Sequence, residues 1–132
     1  MPGWAVLLAI LLLGPALGPG YLLSYDMVWV PDLAVRPDFW GLGSGLPRAV
    51  PSDAVVALVD EVVPGWLLQR LVLVVSLVAG GLGAARWLPP GATAGRLVAV
   101  SVYQWNPLVA ERLAIGHWPV FVGYAVLPWA AL

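Results

Sequence analysis

The sequence has no cysteine, no lysine and a single histidine, and only 10% of its 132 residues are charged. Without cysteine the chain can form neither disulfides nor thiolate metal or redox sites. A single histidine also excludes the usual multi-histidine metal clusters. Six arginines stand against seven acidic residues, so no basic surface exists to neutralise phosphates. We therefore expect no nucleic-acid partner.

The residues that dominate instead are apolar. Hydrophobic residues make up 61% of the chain, and the mean hydropathy is +0.92. An ordinary soluble domain is about half apolar and about a quarter charged. The composition therefore predicts an integral membrane protein whose main partner is the lipid bilayer, in the plasma membrane.

The first apolar segment covers residues 4–23 and carries no charge. As a helix it would reach roughly 30 Å, the thickness of the hydrocarbon core. Gly14-Pro15 and Gly18-Pro19 predict a kink or an early end near Ala16. A cleaved signal peptide is the competing interpretation, although its positively charged start is missing.

Three further segments complete the predicted architecture. Residues 66–87 form a second span, with Arg70 snorkelling near its start and Gly80, Gly81 and Gly83 allowing a neighbouring helix to approach. Residues 95–118 form a third span that is broken at Asn106-Pro107. Residues 120–132 are too few to cross a bilayer. We expect an all-α membrane protein with three transmembrane helices plus a partial fourth, a fragment of a larger helical bundle; a re-entrant end is the alternative.

The stretch 24–64 is the only long polar one, and it holds six acidic residues against two arginines. The connection 86–96 carries two arginines and no acid, so the positive-inside rule predicts a cytoplasmic N-terminus and an extracytoplasmic acidic loop. Within this loop, 52–63 reads as an amphipathic helix capped by Ser52, with Asp53 at its positive end. The predicted polar face holds Asp53, Ala57, Asp60 and Glu61. Lacking basic residues, this helix is expected to pack on the protein.

Carboxylates carry most of the reactive chemistry. Asp26 follows directly on the first apolar segment, and Asp32 and Asp38 come six and twelve residues later. An acid at the membrane surface can act as a general base toward a sugar hydroxyl or hold a divalent cation. Capping of turns is the ordinary alternative for each aspartate. Trp29 and Trp40 are candidates for stacking on a sugar ring.

A second group of candidates follows the predicted break. Glu111 and Arg112 mark an intramembrane site if they lie at membrane depth, or an ordinary ion pair if they lie in an outer-leaflet loop. His117 can bind a phosphate or a sugar, or make a hydrogen bond at the interface. If the helix resumed in phase, one of its faces would be a mostly polar stripe formed by Ser101, Gln104, Leu108 and Glu111.

Three segments carry a resemblance to known proteins: 25–32 (YDMVWVPD), 47–53 (PRAVPSD) and 105–118 (WNPLVAERLAIGHW). They resemble the N-terminal part of actinobacterial polytopic membrane proteins, an uncharacterised family similar to the GT-C class of polyprenyl-phosphate-dependent glycosyltransferases. In that class an acidic residue of the first extracytoplasmic loop acts as base or metal ligand. The resemblance implies this role for Asp26, with Asp32 next.

The leading hypothesis is therefore the N-terminal fragment of an inverting, GT-C-like glycosyltransferase of cell-envelope biosynthesis, with a polyprenyl-phosphate sugar donor. Asp26 and Asp32 are the catalytic candidates, and Asp32 or Asp38 assists or holds a divalent cation. Asp38, Glu111, Arg112 and His117 are the substrate-binding candidates, with Arg112 and His117 on the lipid phosphate. Two alternatives stay open. A transporter or flippase would use the broken helix, and a non-catalytic subunit would assemble with other membrane subunits.

Overall fold

Within the part of the chain that the structure describes, the fold is all-helical, as the sequence predicts, apart from one short hairpin whose two strands have two residues each. The computed structural model describes residues 1–31, 33–43 and 50–131. The elements, in chain order, are α1 (Pro2–Leu13), a 3-10 helix (Gly14–Leu17), β1 (Leu23–Ser24), β2 (Met27–Val28), a 3-10 helix (Pro37–Trp40), α2 (Ser52–Asp60), α3 (Gly65–Ala85), α4 (Thr93–Gln104), α5 (Pro107–Ile115) and α6 (Trp118–Ala130). The two strands pair antiparallel, with Leu23 opposite Val28 and Ser24 opposite Met27.

Helix α3 is the axis of the bundle, and α1, α4 and α6 all pack against it. Glycines let two of these neighbours come close, as predicted. A Cβ atom added at Gly81 would lie 3.0 Å from the Gln104 side chain of α4, and one at Gly83 would lie 2.7 Å from Trp129 Nε1 of α6. We call the two ends of the bundle the arginine end, where α3 ends beside Arg86 and Arg96, and the hairpin end, where α3 begins beside the hairpin.

Only α3 among the described helices is long and apolar enough to cross a membrane. Two shorter apolar helices accompany it, Pro2–Leu17 and Trp118–Ala130. Three continuous spans are therefore not supported. The reason lies in the backbone, because one of the predicted spans ends early and another is broken.

The first predicted span, 4–23, is shorter than expected. Helix α1 ends at Leu13, and Gly14 takes a positive φ of 43°, a conformation that favours glycine. A single 3-10 turn follows before the chain leaves the helical direction, so Leu23 belongs to the hairpin. The predicted second span, 66–87, corresponds to α3 at Gly65–Ala85.

The predicted break at Asn106-Pro107 separates α4 from α5. The Asn106 side chain caps α5 by accepting a hydrogen bond from the Val109 amide at 3.0 Å. The new helix does not continue the phase of α4. Gln104 is 1% exposed, whereas the side chain of Glu111 is 61% exposed, so the predicted polar stripe through these residues is wrong.

Helix α2 differs from its prediction in three respects. It ends at Asp60, and Ser52 is its first residue without a side-chain capping bond. Its buried face is also not the one expected. Asp53 and Ala57 are buried, while Val55 is 55% exposed. In so short a helix, the packing against neighbouring elements decides which face turns inward.

Three buried polar side chains on α3 and α4 bind backbone groups. The Gln69 amide pairs with both the N–H and the carbonyl of Leu22, each at 2.9 Å. Gln104 donates from Nε2 to the carbonyls of Ala5 and Leu77. Its Oε1 has no donor within the described part of the chain.

Arg70 is the third of these side chains. It donates to the carbonyls of Leu17, Gly18, Gly20 and Trp66. The predicted snorkelling is wrong, because the residue is only 8% exposed. Its guanidinium closes the turn that follows α1 instead of reaching water.

A pair of glycine substitutions tests the packing of α6 on α3. We expect Gly83→Ala to lower the free energy of unfolding by about 1–3 kcal/mol, because the new methyl group overlaps Trp129 and Pro128. Gly123→Ala is the control, since nothing lies within 4 Å of its added Cβ. It should raise the free energy of unfolding by about 1 kcal/mol through helix propensity. Unfolding by SDS in mixed micelles measures both, and equal effects of the two variants would contradict the packing.

Candidate functional site

The candidate site lies at the hairpin end, where α5 holds the hairpin against the start of α6. The Asp26 amide donates to the Ile115 carbonyl at 2.9 Å, and Ser24 Oγ donates to the Ala114 carbonyl at 2.6 Å. Gly116, with a φ of 75°, ends α5, and a Cβ there would lie 2.8 Å from Met27 Cβ. A larger residue would push the hairpin away, so this glycine permits the close approach.

This approach brings Asp26 and His117 to one cleft of about 270 Å³. Ser52 and Asp53 of α2 line the same cleft, and Trp118 forms part of its wall. Asp26 is exposed to solvent and His117 is half-buried. Of the predicted site residues, the structure therefore joins one acid of the loop with the histidine beyond the broken helix.

Arg112 approaches His117 from behind the cleft. Its Nη1 lies 3.3 Å from His117 Nδ1, and its Nη2 lies 3.9 Å from the Glu111 carboxylate. Guanidinium can only donate, so a hydrogen bond between these two atoms requires the tautomer in which Nδ1 accepts and Nε2 carries the ring proton. In that tautomer Nε2 is an N–H donor. Glu111 is largely exposed and contributes only this long ion pair.

Arg112 also borders an apolar cavity of about 160 Å³ between α1, the hairpin, α5 and α6. Arg112 is its one charged lining residue in the part of the chain that the structure describes. The rest is mostly aliphatic and aromatic, including the side chains of Leu12, Leu13, Leu22, Leu23, Leu73, Leu113 and Phe121. A cation beside such a cavity can bind the anionic group of an amphiphile and leave its apolar part among the leucines.

The other predicted acids do not join the cleft. Asp32 lies outside the described residues. Asp38 forms an exposed ion pair with Arg36 at 3.1 Å and does not line the cleft. Within the described ranges, no three His, Asp or Glu residues are grouped so that they could hold a metal ion. The described residues therefore do not fit a divalent cation, and we derive no step through one.

The tryptophans are placed differently from their prediction. Trp29 is 4% exposed and packs edge-on against Trp118, with ring centroids 5.2 Å apart, so its proposed role in sugar stacking is wrong. Trp40 is exposed but does not line the cleft. The sequence prediction did not include Ser52, Asp53 and Trp118 in the site. No local signal marks them, because their position depends on how α2 packs beside α6.

Comparisons of the chain with protein-family models, with curated proteins and with solved structures find no match.

The single histidine makes the Arg112 contact directly measurable. In protein labelled with ¹⁵N-histidine, we expect the neutral form of the ring to be one tautomer, with Nδ1 unprotonated and Nε2 protonated. Arg112→Met removes the donor, so the two neutral tautomers should then mix. Arg36→Met is the control, because Arg36 pairs with Asp38 in an exposed loop. A protonated Nδ1 in the unmodified protein would contradict the contact.

Proposed function

We propose that the chain is the N-terminal part of a multi-pass plasma-membrane protein that acts as a GT-C-like glycosyltransferase in cell-envelope biosynthesis. One observation carries the proposal: Asp26 and His117 share a cleft, and His117 contacts the arginine that borders the leucine-lined cavity. A base for an acceptor hydroxyl thus lies near an anchor for a lipid phosphate. These two groups are what transfer from a polyprenyl-phosphate sugar requires.

The surface of the bundle supports a position in lipid. Leu11 of α1, Val75 of α3, Val98 of α4 and Val126 of α6 are between 56% and 61% exposed. Apolar side chains on every helix of the bundle would be costly in water. In lipid they match their surroundings, and α1, the α4–α5 pair and α6 would then lie in the bilayer beside α3.

The distribution of charge supports an orientation. Arg86 and Arg96 lie at the end of the bundle where α1 begins, since Ala5 packs beside Ala85. Asp26, Asp53 and Glu61 lie toward the opposite end, in the hairpin and around α2. By the positive-inside rule the arginine end and the N-terminus are cytoplasmic. The cleft then opens on the outer side, at the level of the lipid headgroups.

In the proposed reaction, the Asp26 carboxylate accepts the proton of an acceptor hydroxyl. The hydroxyl oxygen attacks the anomeric carbon of the donor sugar as the bond from that carbon to the phosphate oxygen breaks. The bonding electron pair leaves with the lipid phosphate, whose charge Arg112 stabilises. A single displacement of this kind inverts the anomeric configuration.

Transport is the weaker alternative. A substrate path through a broken helix needs backbone groups that are free to bind a ligand. Here Asn106 Nδ2 donates to the carbonyls of Val102 and Tyr103, and the Tyr124 hydroxyl donates to the Tyr103 carbonyl as well. Because these groups are occupied within the protein, the break serves the packing of α4, α5 and α6. A non-catalytic subunit that assembles with other membrane subunits would need none of the acids of the cleft.

Cysteine labelling tests the orientation, and the cysteine-free chain needs no prior substitutions. We expect Trp40→Cys to react with a membrane-impermeant maleimide in intact spheroplasts, because this exposed residue lies in the acidic loop. Gly91→Cys, between the two arginines of the other end, should react only after lysis. Labelling in the reverse pattern would place the cleft in the cytosol and rule out the proposed reaction there.

Removing the base tests the reaction. Asp26→Asn keeps the size of the side chain but cannot accept the proton, so transfer from a radiolabelled polyprenyl-phosphate sugar should fall by about 10²–10⁴-fold. Glu61→Gln is the matched control, because Glu61 is exposed and lies outside the cleft. It should retain full turnover. Unchanged turnover in Asp26→Asn would remove Asp26 from the reaction.

A further inference from the structure

The cleft lies directly beside a second, apolar groove. This groove has a volume of about 330 Å³ and lies between α2, α3 and α6. Ser52, Trp118 and Pro119 line both spaces, so they form a shared wall. A ligand that enters the cleft therefore meets the groove directly beside it.

The two spaces differ sharply in chemistry. The cleft offers the carboxylates of Asp26 and Asp53, the Ser52 hydroxyl and the His117 ring, whose Nε2 is the donor in the tautomer that the Arg112 contact requires. The groove is lined by branched aliphatic side chains from three helices, namely Val55, Val56, Val59, Leu68, Val72 and Val122. Polar and apolar linings side by side match a molecule that is itself divided into a polar head and an apolar chain.

We propose that the cleft and the groove together bind one amphiphile, with a polyhydroxylated, uncharged head in the cleft and an alkyl chain in the groove. Its role as the acceptor and the position of the groove at the lipid headgroups rest on the proposed function. In that case the acceptor hydroxyl is delivered to Asp26 by a molecule that is itself anchored in the membrane, and not by a sugar free in water.

The lining of the cleft favours hydroxyl groups over an anionic head. A carboxylate accepts hydrogen bonds, a protonated Nε2 donates one, and a serine hydroxyl does both, which suits groups that are donors and acceptors at once. No arginine lines the cleft within the described residues. Arg112 instead borders the leucine-lined cavity on the other side of His117, so an anionic head has its partner there.

The groove favours an alkyl chain because its sides are left uncovered. Val55 of α2 is 55% exposed and Val122 of α6 is 42% exposed, and they flank the same space. The groove adjoins the cleft at the end of α3 that lies at the headgroups in the proposed orientation. A chain in the groove would contact both helices there while its head remains in the cleft.

Photo-crosslinking of the full chain in nanodiscs tests this inference. The probe is an alkyl glucoside with a diazirine in its chain, and crosslinked peptides are identified by mass spectrometry. We expect crosslinks in α2 and at the start of α6. Unlabelled alkyl glucoside should compete at least about tenfold better than an alkyl phosphate or alkyl trimethylammonium of equal chain length, a difference of about 1.4 kcal/mol in binding.

A matched pair of substitutions locates the chain. Val122→Trp fills the groove and should lower the crosslinking yield about tenfold. Val126→Trp makes the same change one turn further along α6, at a residue that is 56% exposed and does not line the groove. It should leave the yield unchanged. The ¹⁵N-histidine signals of both variants report whether the hairpin end remains folded.

Each contrary result has a definite meaning. Equal competition by the alkyl phosphate would overturn the uncharged head, and a yield unaffected by Val122→Trp would overturn the groove, leaving surrounding lipid or a second copy as its cover. Crosslinks elsewhere together with loss of transfer in Asp26→Asn would refute only this inference. Crosslinks in the groove with full transfer in Asp26→Asn would refute only the proposed reaction.

Discussion

The hydrogen bonds that Arg70 donates to the backbone after α1 fix the direction in which the chain leaves that helix, and the positions of the hairpin and of the candidate site depend on it. A carbonyl that leaves helical structure in a partly buried turn loses its partner within the helix, and leaving it unpaired is costly. Arg70 takes up the carbonyls of Leu17, Gly18 and Gly20, and its neighbour Gln69 binds both polar groups of Leu22. Two adjacent side chains of α3 thus direct the chain from α1 into the hairpin.

The same hydrogen bonds restrict the position of the candidate site. Because the hairpin is fixed to α3 on one side and to α5 on the other, Asp26 has little freedom to move away from His117. The helix break has a similar origin, since Asn106 and Tyr124 pair the backbone groups that the break releases. Most buried polar side chains of this bundle therefore bind backbone groups. Asp26 and His117 at the hairpin end line an open cleft instead, where they can meet a ligand.

The sequence predicts those features that depend on local pattern. The apolar run of α3, its glycine face and the break at Asn106-Pro107 follow from composition and from the backbone chemistry of glycine and proline. The end of α1 at Leu13 does not follow from the sequence alone, because either of the two Gly-Pro pairs can end the helix. In the structure it ends at the first pair, where Gly14 has a positive φ. The buried face of α2 and the cleft that Asp26 and His117 line together could not be predicted from local pattern, since both depend on contacts between distant segments. The pairing of Asp38 with Arg36 is local, yet nothing in the spacing distinguishes it from a site residue.

The glycines of α3 have a consequence for how such a protein can change. Gly80, Gly81 and Gly83 all lie toward the arginine end, where side chains of α4 and α6 pack directly onto the backbone of α3, while the cleft and the groove at the hairpin end are lined mostly by loops, helix termini and the short α2. The tight contacts between helices and the two open spaces are thereby separated along the length of α3. Substitutions around the hairpin can therefore accumulate with less effect on the packing that keeps the molecule above the threshold at which it unfolds.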